Sequence, residues 1–186
     1  MKKKTIVIIV ILVIAVISIC IVFLTTNNRE ITPNGNLAYN HVTLVIDETN
    51  LYEYIGSVDY VFVGTVIKCV ENITDDDFPD TIYSLSVNEN LKGNLVETIE
   101  VKKHGGYTKN GTLILYETDL IQDSGLPEVG RQYIFLAYGQ PDGSLLLDEV
   151  NGNVEYSDTA KEEYQNYIAN QIEIDRNRSK SQYEAN

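Results

Sequence analysis

One cysteine and one histidine of this chain have side chains that could carry covalent chemistry. A Cys69 thiolate with His104 as its base would form the nucleophile and proton acceptor of a thiol enzyme. Cys69, however, sits in an apolar strand pattern, where free cysteine usually packs as a small hydrophobic side chain. His104 precedes Gly105 and Gly106, which is typical of a turn. We therefore expect no catalytic residue, and this pair stays the hypothesis for one alternative, an envelope enzyme.

The acidic stretch ENITDDDFPD is the densest cluster of possible metal ligands. Clustered carboxylates suit hard cations such as Ca²⁺, which bind oxygen ligands. The spacing matches no calcium-loop motif, and the chain has no paired-cysteine or His-Glu-x-x-His zinc signature. We expect a solvated loop with no metal and no cofactor. The weak metal candidates are Asp75, Asp76, Asp77 and Asp80.

Tyrosine is the residue type best suited to ligand contact, with 13 copies in 186 residues. An exposed tyrosine ring stacks on sugars and packs in protein interfaces, while its hydroxyl keeps a hydrogen bond. Tyr107, Tyr116 and Tyr138 fall in or near strands of the second half of the chain and are the weak ligand-binding candidates. The alternative is that these rings belong to the wall of the fold.

The first 24 residues predict a membrane anchor. Three lysines at 2–4 precede the uncharged run 5–24, TIVIIVILVIAVISICIVFL. As a helix rising about 1.5 Å per residue, this run spans the roughly 30 Å apolar core of a bilayer. A cleavable signal peptide has a shorter apolar core, and the isoleucine before Cys20 does not fit a lipoprotein signal. The lysines keep residues 1–4 in the cytoplasm, so we expect a single-pass cell-membrane protein whose bulk is extracellular.

Charge and cysteine content narrow the partners. The chain has 14 lysines and arginines against 27 aspartates and glutamates, a net charge of −13. Such a surface repels nucleic acid and anionic lipid, so we expect no nucleic-acid partner. Cys69 is the only cysteine after the apolar run, and the outer domain therefore has no internal disulfide. It must be stabilised by its hydrophobic core.

Beyond the anchor, the pattern predicts a tether, one domain and a tail. Residues 25–40 are polar, contain proline and glycine, and are typical of a tether. Residues 41–176 form the outer domain, with a helix capped at Thr49 near its start and a helix capped at Thr159 near its end. At helical spacing, the second helix carries one stripe for packing: Ala160, Tyr164, Tyr167, Ile168 and Gln171. Residues 177–186 are polar, and we expect a disordered tail.

The segment 57–70, SVDYVFVGTVIKCV, predicts a strand that is apolar on both faces and carries Gly64 in its middle. Four further strands follow, with connections that suit antiparallel pairing. In the first of these, Tyr83, Leu85 and Val87 alternate with polar residues, which predicts a half-buried strand. A strand covered on both faces and bent at a glycine fits a small closed barrel, in which one face fills the interior and the other lies beneath a helix. We therefore predict a mainly β fold, a five-stranded antiparallel OB-like (oligonucleotide/oligosaccharide-binding) barrel with one helix before it and one after. The alternative is an open sheet with helices on one face.

Four segments carry a resemblance to a known family: SVDYVFVGTV, YSLSVNENLKG, IEVKKHGG and LPEVGRQYIFLAYG. Over roughly residues 50–150 the chain resembles the metalloproteinase-inhibitor-like (netrin-like) OB barrel of Gram-positive surface proteins. The animal inhibitors of this family grip a protease zinc through an amino-terminal cysteine, which neither Cys20 nor Cys69 matches. The resemblance therefore implies a fold rather than an activity. The positions that match the family motif are Asp59–Val61, Gly64–Val66, Leu91–Gly93, Gly130 and Tyr133.

Together these patterns predict a membrane-anchored extracellular binding module without catalytic activity. Besides the membrane, its expected partner is another surface protein or a cell-wall glycan. Two alternatives stay open, an envelope enzyme and a protease-inhibitor-like protein that is secreted after cleavage behind the apolar run.

Overall fold

The computed structural model describes residues 31–74 and 77–185, and residues 33–186 form one compact unit. The predicted anchor 5–24 lies outside the described residues, and within the described part no helix has the length and apolarity to cross a membrane. In chain order the elements are β1 Leu37–His41, α1 Leu51–Ser57, β2 Tyr60–Ile73, β3 Asp80–Lys92, β4 Thr98–His104, β5 Gly106–Tyr107, β6 Leu113–Glu117, β7 Gln132–Gly139, β8 Leu145–Leu147, β9 Asn153–Glu155 and α2 Asp158–Ala169.

Five strands close into a barrel. β2 pairs with β3, β3 with β4, β4 with β8, β8 with β7, and β7 returns to β2. Four of these contacts are antiparallel, whereas β4 and β8 run parallel at Lys102 and Leu146. The prediction of an entirely antiparallel barrel is therefore wrong at this contact. A closed ring with an odd number of strands cannot alternate in direction all the way round, so one neighbouring pair must be parallel.

From Tyr60 to Val66 β2 is covered on both faces, as its sequence predicts, whereas Ile67, Cys69 and Val70 farther along the predicted segment 57–70 are exposed. Tyr60, Phe62 and Val66 belong to the core inside the barrel. Val61 and Val63, on the other face, belong to a second cluster beneath the helices. The two-faced pattern thus identifies the strand that separates the two cores.

Gly64 lies at an irregularity in the register between β2 and β3. A Cβ atom at this position would lie 3.1 Å from the carbonyl oxygen of Ser86 and 3.2 Å from the ring of Phe135. Glycine therefore lets the β2 backbone approach β7 closely enough for Phe135 to stack on Phe62, with 5.3 Å between ring centroids.

The two helices cover the outer barrel wall. In α2, the residues that pack on this wall are Ala160, Tyr164, Tyr167 and Ile168, as the helical spacing predicts. The caps differ by one or two residues from the prediction, which is the usual uncertainty of a helix boundary. α1 begins after Asn50 instead of Thr49, and α2 begins after Ser157, whose hydroxyl accepts from the backbone N–H of Ala160 at 3.0 Å.

A separate three-stranded sheet contains β1, β6 and β5. β1 runs parallel to β6, from Leu37 opposite Leu113 to His41 opposite Glu117. Among the described residues, regular structure therefore begins at residue 37, within the range 25–40 that the polar composition assigned to the tether.

Residues 170–185, which we call the C-terminal segment, cross one end of the barrel. The ring of Tyr183 packs against the barrel core, and its carbonyl accepts from the N–H of Val96 at 2.9 Å. The N–H of Ala185 donates to the carbonyl of Asn94 at 2.8 Å. The polarity of residues 177–186 predicted a disordered tail, whereas residues 177–185 lie against the barrel, because their polar groups find backbone partners there.

Candidate ligand-binding pocket

An open pocket of about 450 Å³ lies where the C-terminal segment crosses the barrel end, and we call it the end pocket. Three parts of the chain line it, the start of β2, the end of β3 and residues 173–184. Its charged lining residues are Asp59, Lys92, Glu173, Arg178, Lys180 and Glu184.

Two of the motif segments meet at this pocket. Asp59–Val61 leads into β2 and Leu91–Gly93 ends β3, and Val61 is opposite Lys92 in the β2–β3 register. These segments matched the family motif as positions that form the fold. In the structure, Asp59, Tyr60, Lys92 and Gly93 also line the pocket.

The cations at the pocket cap the C-terminal end of α1. This helix has no basic residue in its last turn, and the last carbonyls of any helix lack donors within the helix. Lys92 Nζ donates to the carbonyl of Ile55 at 2.7 Å. Arg178 and Arg176 donate to the next two carbonyls at 2.6 and 2.7 Å. Positive charge is favourable at this end of the helix dipole.

Asp59 supplies the buried negative charge of the pocket, with only 7% of its side chain exposed. Its Oδ1 lies 2.6 Å from Arg176 Nη2 and 2.8 Å from Arg178 Nη1. Its Oδ2 accepts from the N–H of Gly139 at 3.0 Å. Asp59 therefore joins the start of β2 to the C-terminal segment and to the end of β7.

Lys92 differs from the other cations of the pocket because it has no carboxylate within 4.0 Å among the described residues. Glu173 and Glu184 are paired instead with Arg178 at 3.5 Å and with Lys180 at 3.2 Å. Burial and the charge of Arg178 lower the pKa of Lys92 to about 8, although Glu173 and Asp59 act in the opposite direction. The half-buried ammonium is thus poorly compensated.

The structure places His104 beside Asp80, away from Cys69. His104 Nδ1 lies 2.6 Å from Asp80 Oδ1, and Lys102 Nζ lies 3.3 Å from Asp80 Oδ2. Burial alone would raise the pKa of Asp80, but these two neighbours hold it below its usual value. Cys69 on β2 is opposite Tyr83 on β3, which in turn is opposite Val101 on β4. His104 follows Val101 by three residues, so strand spacing places the Cα atoms of Cys69 and His104 about 14 Å apart. The thiol–imidazole pair is not assembled, and burial raises the pKa of the thiol.

The acidic loop is described only in part. Asp75 and Asp76 lie outside the described residues. The carbonyl of Asp77 accepts from Asn40 Nδ2 at 2.8 Å, and Asp80 is engaged with its two cationic neighbours. Across residues 31–74 and 77–185, no three His, Cys, Asp or Glu residues are arranged to hold a metal ion.

The three tyrosine candidates lie outside the end pocket. Tyr107 exchanges two hydrogen bonds between its backbone and the side chain of Asn72, at 2.7 and 2.8 Å. Tyr116 is buried with its ring 6.0 Å from that of His104, and burial raises its pKa. Tyr138 is half-buried, and the Arg176 guanidinium lies 5.2 Å above its ring. Tyr138 is therefore the one nearest to the pocket chemistry, through Arg176.

Two buried polar contacts carry no clear signal in the sequence. Lys103 and Asp123 form an ion pair at 3.0 Å with both side chains fully buried. Asp148 accepts hydrogen bonds from the hydroxyls of Tyr54 at 2.5 Å and Tyr138 at 3.1 Å. The strand alternation of β4 gives one indication, because Lys103 follows Ile99 and Val101 at the positions that point inward. Nothing local indicates its partner.

No protein-family model matches the chain, and no curated protein is significantly similar to it in sequence. The interpretation of the end pocket therefore depends on its own geometry.

Proposed function

We propose that this chain is a binding module with the end pocket as its ligand site, held outside the cell by its N-terminal apolar segment. The observation that supports this proposal is the pocket itself. Its volume of about 450 Å³ is typical of ligand sites, and its walls come from segments that meet only in the folded chain. The ligand is another surface protein or a cell-wall component.

The strand order supports the OB interpretation and the netrin-like resemblance. Numbered one to five along the chain, the barrel strands pair in the order 1-2-3-5-4-1, with the third and fifth parallel. OB barrels bind oligosaccharides and oligonucleotides on the outer face of strands two and three. In this chain that face belongs to β3 and β4. No tyrosine, phenylalanine or tryptophan points outward from these strands between Ile82 and Ser86 or between Thr98 and His104. A lack of stacking rings there favours the end pocket as the binding site.

Photo-crosslinking of the full chain in cells of the source organism tests the pocket. A photoreactive residue replaces Ser179, which lines the pocket, or Thr98, which is exposed on β4, as the matched control. We expect a discrete adduct from position 179 and none from position 98. An adduct from position 98 with none from position 179 would move the binding site to the strand face and contradict the proposal.

Fractionation of the same cells tests the anchor. We expect the intact mass, with the run 5–24 retained, in the membrane fraction. A soluble product that begins near Thr25 would contradict a retained anchor and favour secretion.

A further inference from the structure

We propose that the end pocket binds an oxyanion, the carboxylate or phosphate group of its ligand, through the Lys92 ammonium. This inference rests on the proposed function, because it assigns a chemistry to the ligand of that same pocket.

Lys92 has donors to spare. An ammonium group carries three N–H donors, and the structure assigns one of them to the carbonyl of Ile55 at 2.7 Å. No carboxylate among the described residues lies within 4.0 Å of this ammonium, and Lys92 lines the pocket. A ligand oxygen in the pocket would be its missing counter-charge, and hydrogen bonds between ionised groups are the stronger kind.

The charged residues that line the end pocket are three cations and three carboxylates, whereas the whole chain carries −13. Lys92, Arg176 and Arg178 converge near a single buried carboxylate, that of Asp59. The carbonyl end of α1 adds roughly half a negative charge. At physiological ionic strength charges beyond about 8 Å are largely screened, so the groups nearest Lys92 matter more to a ligand than the charge of the whole chain.

The two carboxylates at the pocket rim pair with Arg178 and Lys180 rather than with Lys92. Glu173 is 71% exposed and pairs with Arg178 at 3.5 Å. Glu184 pairs with Lys180 at 3.2 Å and accepts from the hydroxyl of Tyr60 at 2.8 Å. These contacts engage the two glutamates at the rim and leave Lys92 without an anionic partner.

Protonation of Lys92 and binding of an oxyanion favour each other. Burial and repulsion from Arg178 lower the pKa of Lys92 to about 8, while Glu173 and Asp59 partly oppose this. A bound oxyanion stabilises the charged ammonium and raises that pKa. By the same linkage, oxyanion affinity is present at pH 7 and falls as the pH rises through about 8.

Lysine-selective NMR on residues 33–186, which form one compact unit with its own core, tests the inference. Inorganic phosphate and acetate are added in separate titrations at constant ionic strength, and the Cε signal of Lys92 is followed against pH. We expect a saturable upward shift of the Lys92 titration midpoint, by about one pH unit. Lys92→Gln should weaken the oxyanion affinity at least about tenfold, whereas Lys68→Gln, the same change at an exposed strand position, should leave it within about twofold. The inference is overturned if sodium chloride gives the same shift or if Lys92→Gln binds as the wild type does.

The NMR titration and the crosslinking test separate this inference from the proposed function. An adduct from position 179 without an oxyanion response at Lys92 would overturn the inference and leave the pocket as a binding site of other chemistry. An oxyanion response without any adduct from position 179 would support the oxyanion site and contradict the pocket as the site of the cellular ligand.

Discussion

Asp59 Oδ1 lies 2.8 Å from Arg178 Nη1, so two residues 119 positions apart fasten the C-terminal segment to the start of β2. We expect Asp59→Asn to lower the free energy of unfolding by about 2 kcal/mol, less than for a fully buried pair because Arg178 is 31% exposed. Loss of the charge should also speed amide exchange at Ser181 and Tyr183, measured by hydrogen exchange with NMR.

The matched control for this change is Asp119→Asn, which removes a carboxylate that is 92% exposed in the loop after β6. It should leave exchange in the C-terminal segment unaltered. Equal exchange in the Asp59→Asn variant and the wild type would show that the segment is held by other contacts.

The hydroxyl of Tyr54 stabilises the buried carboxylate of Asp148. Tyr54→Phe leaves that carboxylate with one tyrosine donor fewer, and we expect a loss of about 1–3 kcal/mol in urea unfolding. Tyr52→Phe, on the exposed side of α1, should cost less than about 0.5 kcal/mol. Equal effects of the two changes would mean that the Tyr54 hydrogen bond contributes nothing to stability.

Alkaline pH provides a second test of this contact. Burial, with the nearby charge of Asp148, raises the pKa of Tyr54 above the ordinary value of 10.0. The stability from this group is therefore fully present below pH 10 and is lost as the pH rises further, because the unfolded chain ionises first. The unfolding free energy of Tyr54→Phe should fall less steeply above pH 10 than that of the wild type. Parallel curves would contradict the raised pKa.

The ion pair of Lys103 and Asp123 fastens the β6–β7 loop to the barrel interior. Lys103→Met leaves an uncompensated buried carboxylate, and we expect a loss of about 3–5 kcal/mol. The double change Lys103→Met with Asp123→Leu removes both charges and should recover most of that loss, as measured by chemical denaturation. A double variant no more stable than Lys103→Met would show that packing, and not charge, accounts for the effect.

The pH dependence of stability should also report Lys92. Its folded pKa of about 8 lies below the ordinary 10.5, so the unfolded chain binds the proton more tightly. Between pH 8 and 10.5 the wild type should therefore gain stability relative to Lys92→Met, by about 1 kcal/mol after allowance for partial exposure. A difference between the two proteins that stays constant over this range would contradict a lowered pKa. Denaturation at matched ionic strength measures it.

Much of the architecture could be predicted from the spacing of apolar residues along the chain. The alternation in β2 and β3 predicted which side chains fill the barrel, and the helical spacing of α2 predicted its packing face. Periodicity works here because burial of one face is a local property of a strand or helix. A closed ring of five strands, an odd number, also requires a parallel neighbouring pair, which the all-antiparallel prediction overlooked.

The residues of the candidate site could be predicted from the sequence much less well than the fold. In the sequence, Lys92 stands out only as a member of the motif segment Leu91–Gly93. Arg176 and Arg178 lie beside or within the polar range 177–186, whose composition is that of a disordered terminus. Their partners are backbone carbonyls of α1, which have no side-chain signature. Whether a polar terminal segment is ordered depends on the hydrogen bonds and packing contacts that it finds, and these come from distant parts of the chain.

By itself, the sequence determined the apolar run 5–24, the acidic composition, the two-faced strand β2 and the apolar stripe of α2, because each is a pattern within one stretch of chain. The tertiary structure decided that Asp59 pairs with Arg178 and that Lys92 donates to the carbonyl of Ile55, with no carboxylate of the described residues within 4.0 Å. Such encounters join residues far apart in sequence, and their geometry exists only once the barrel has closed and the C-terminal segment has crossed its end.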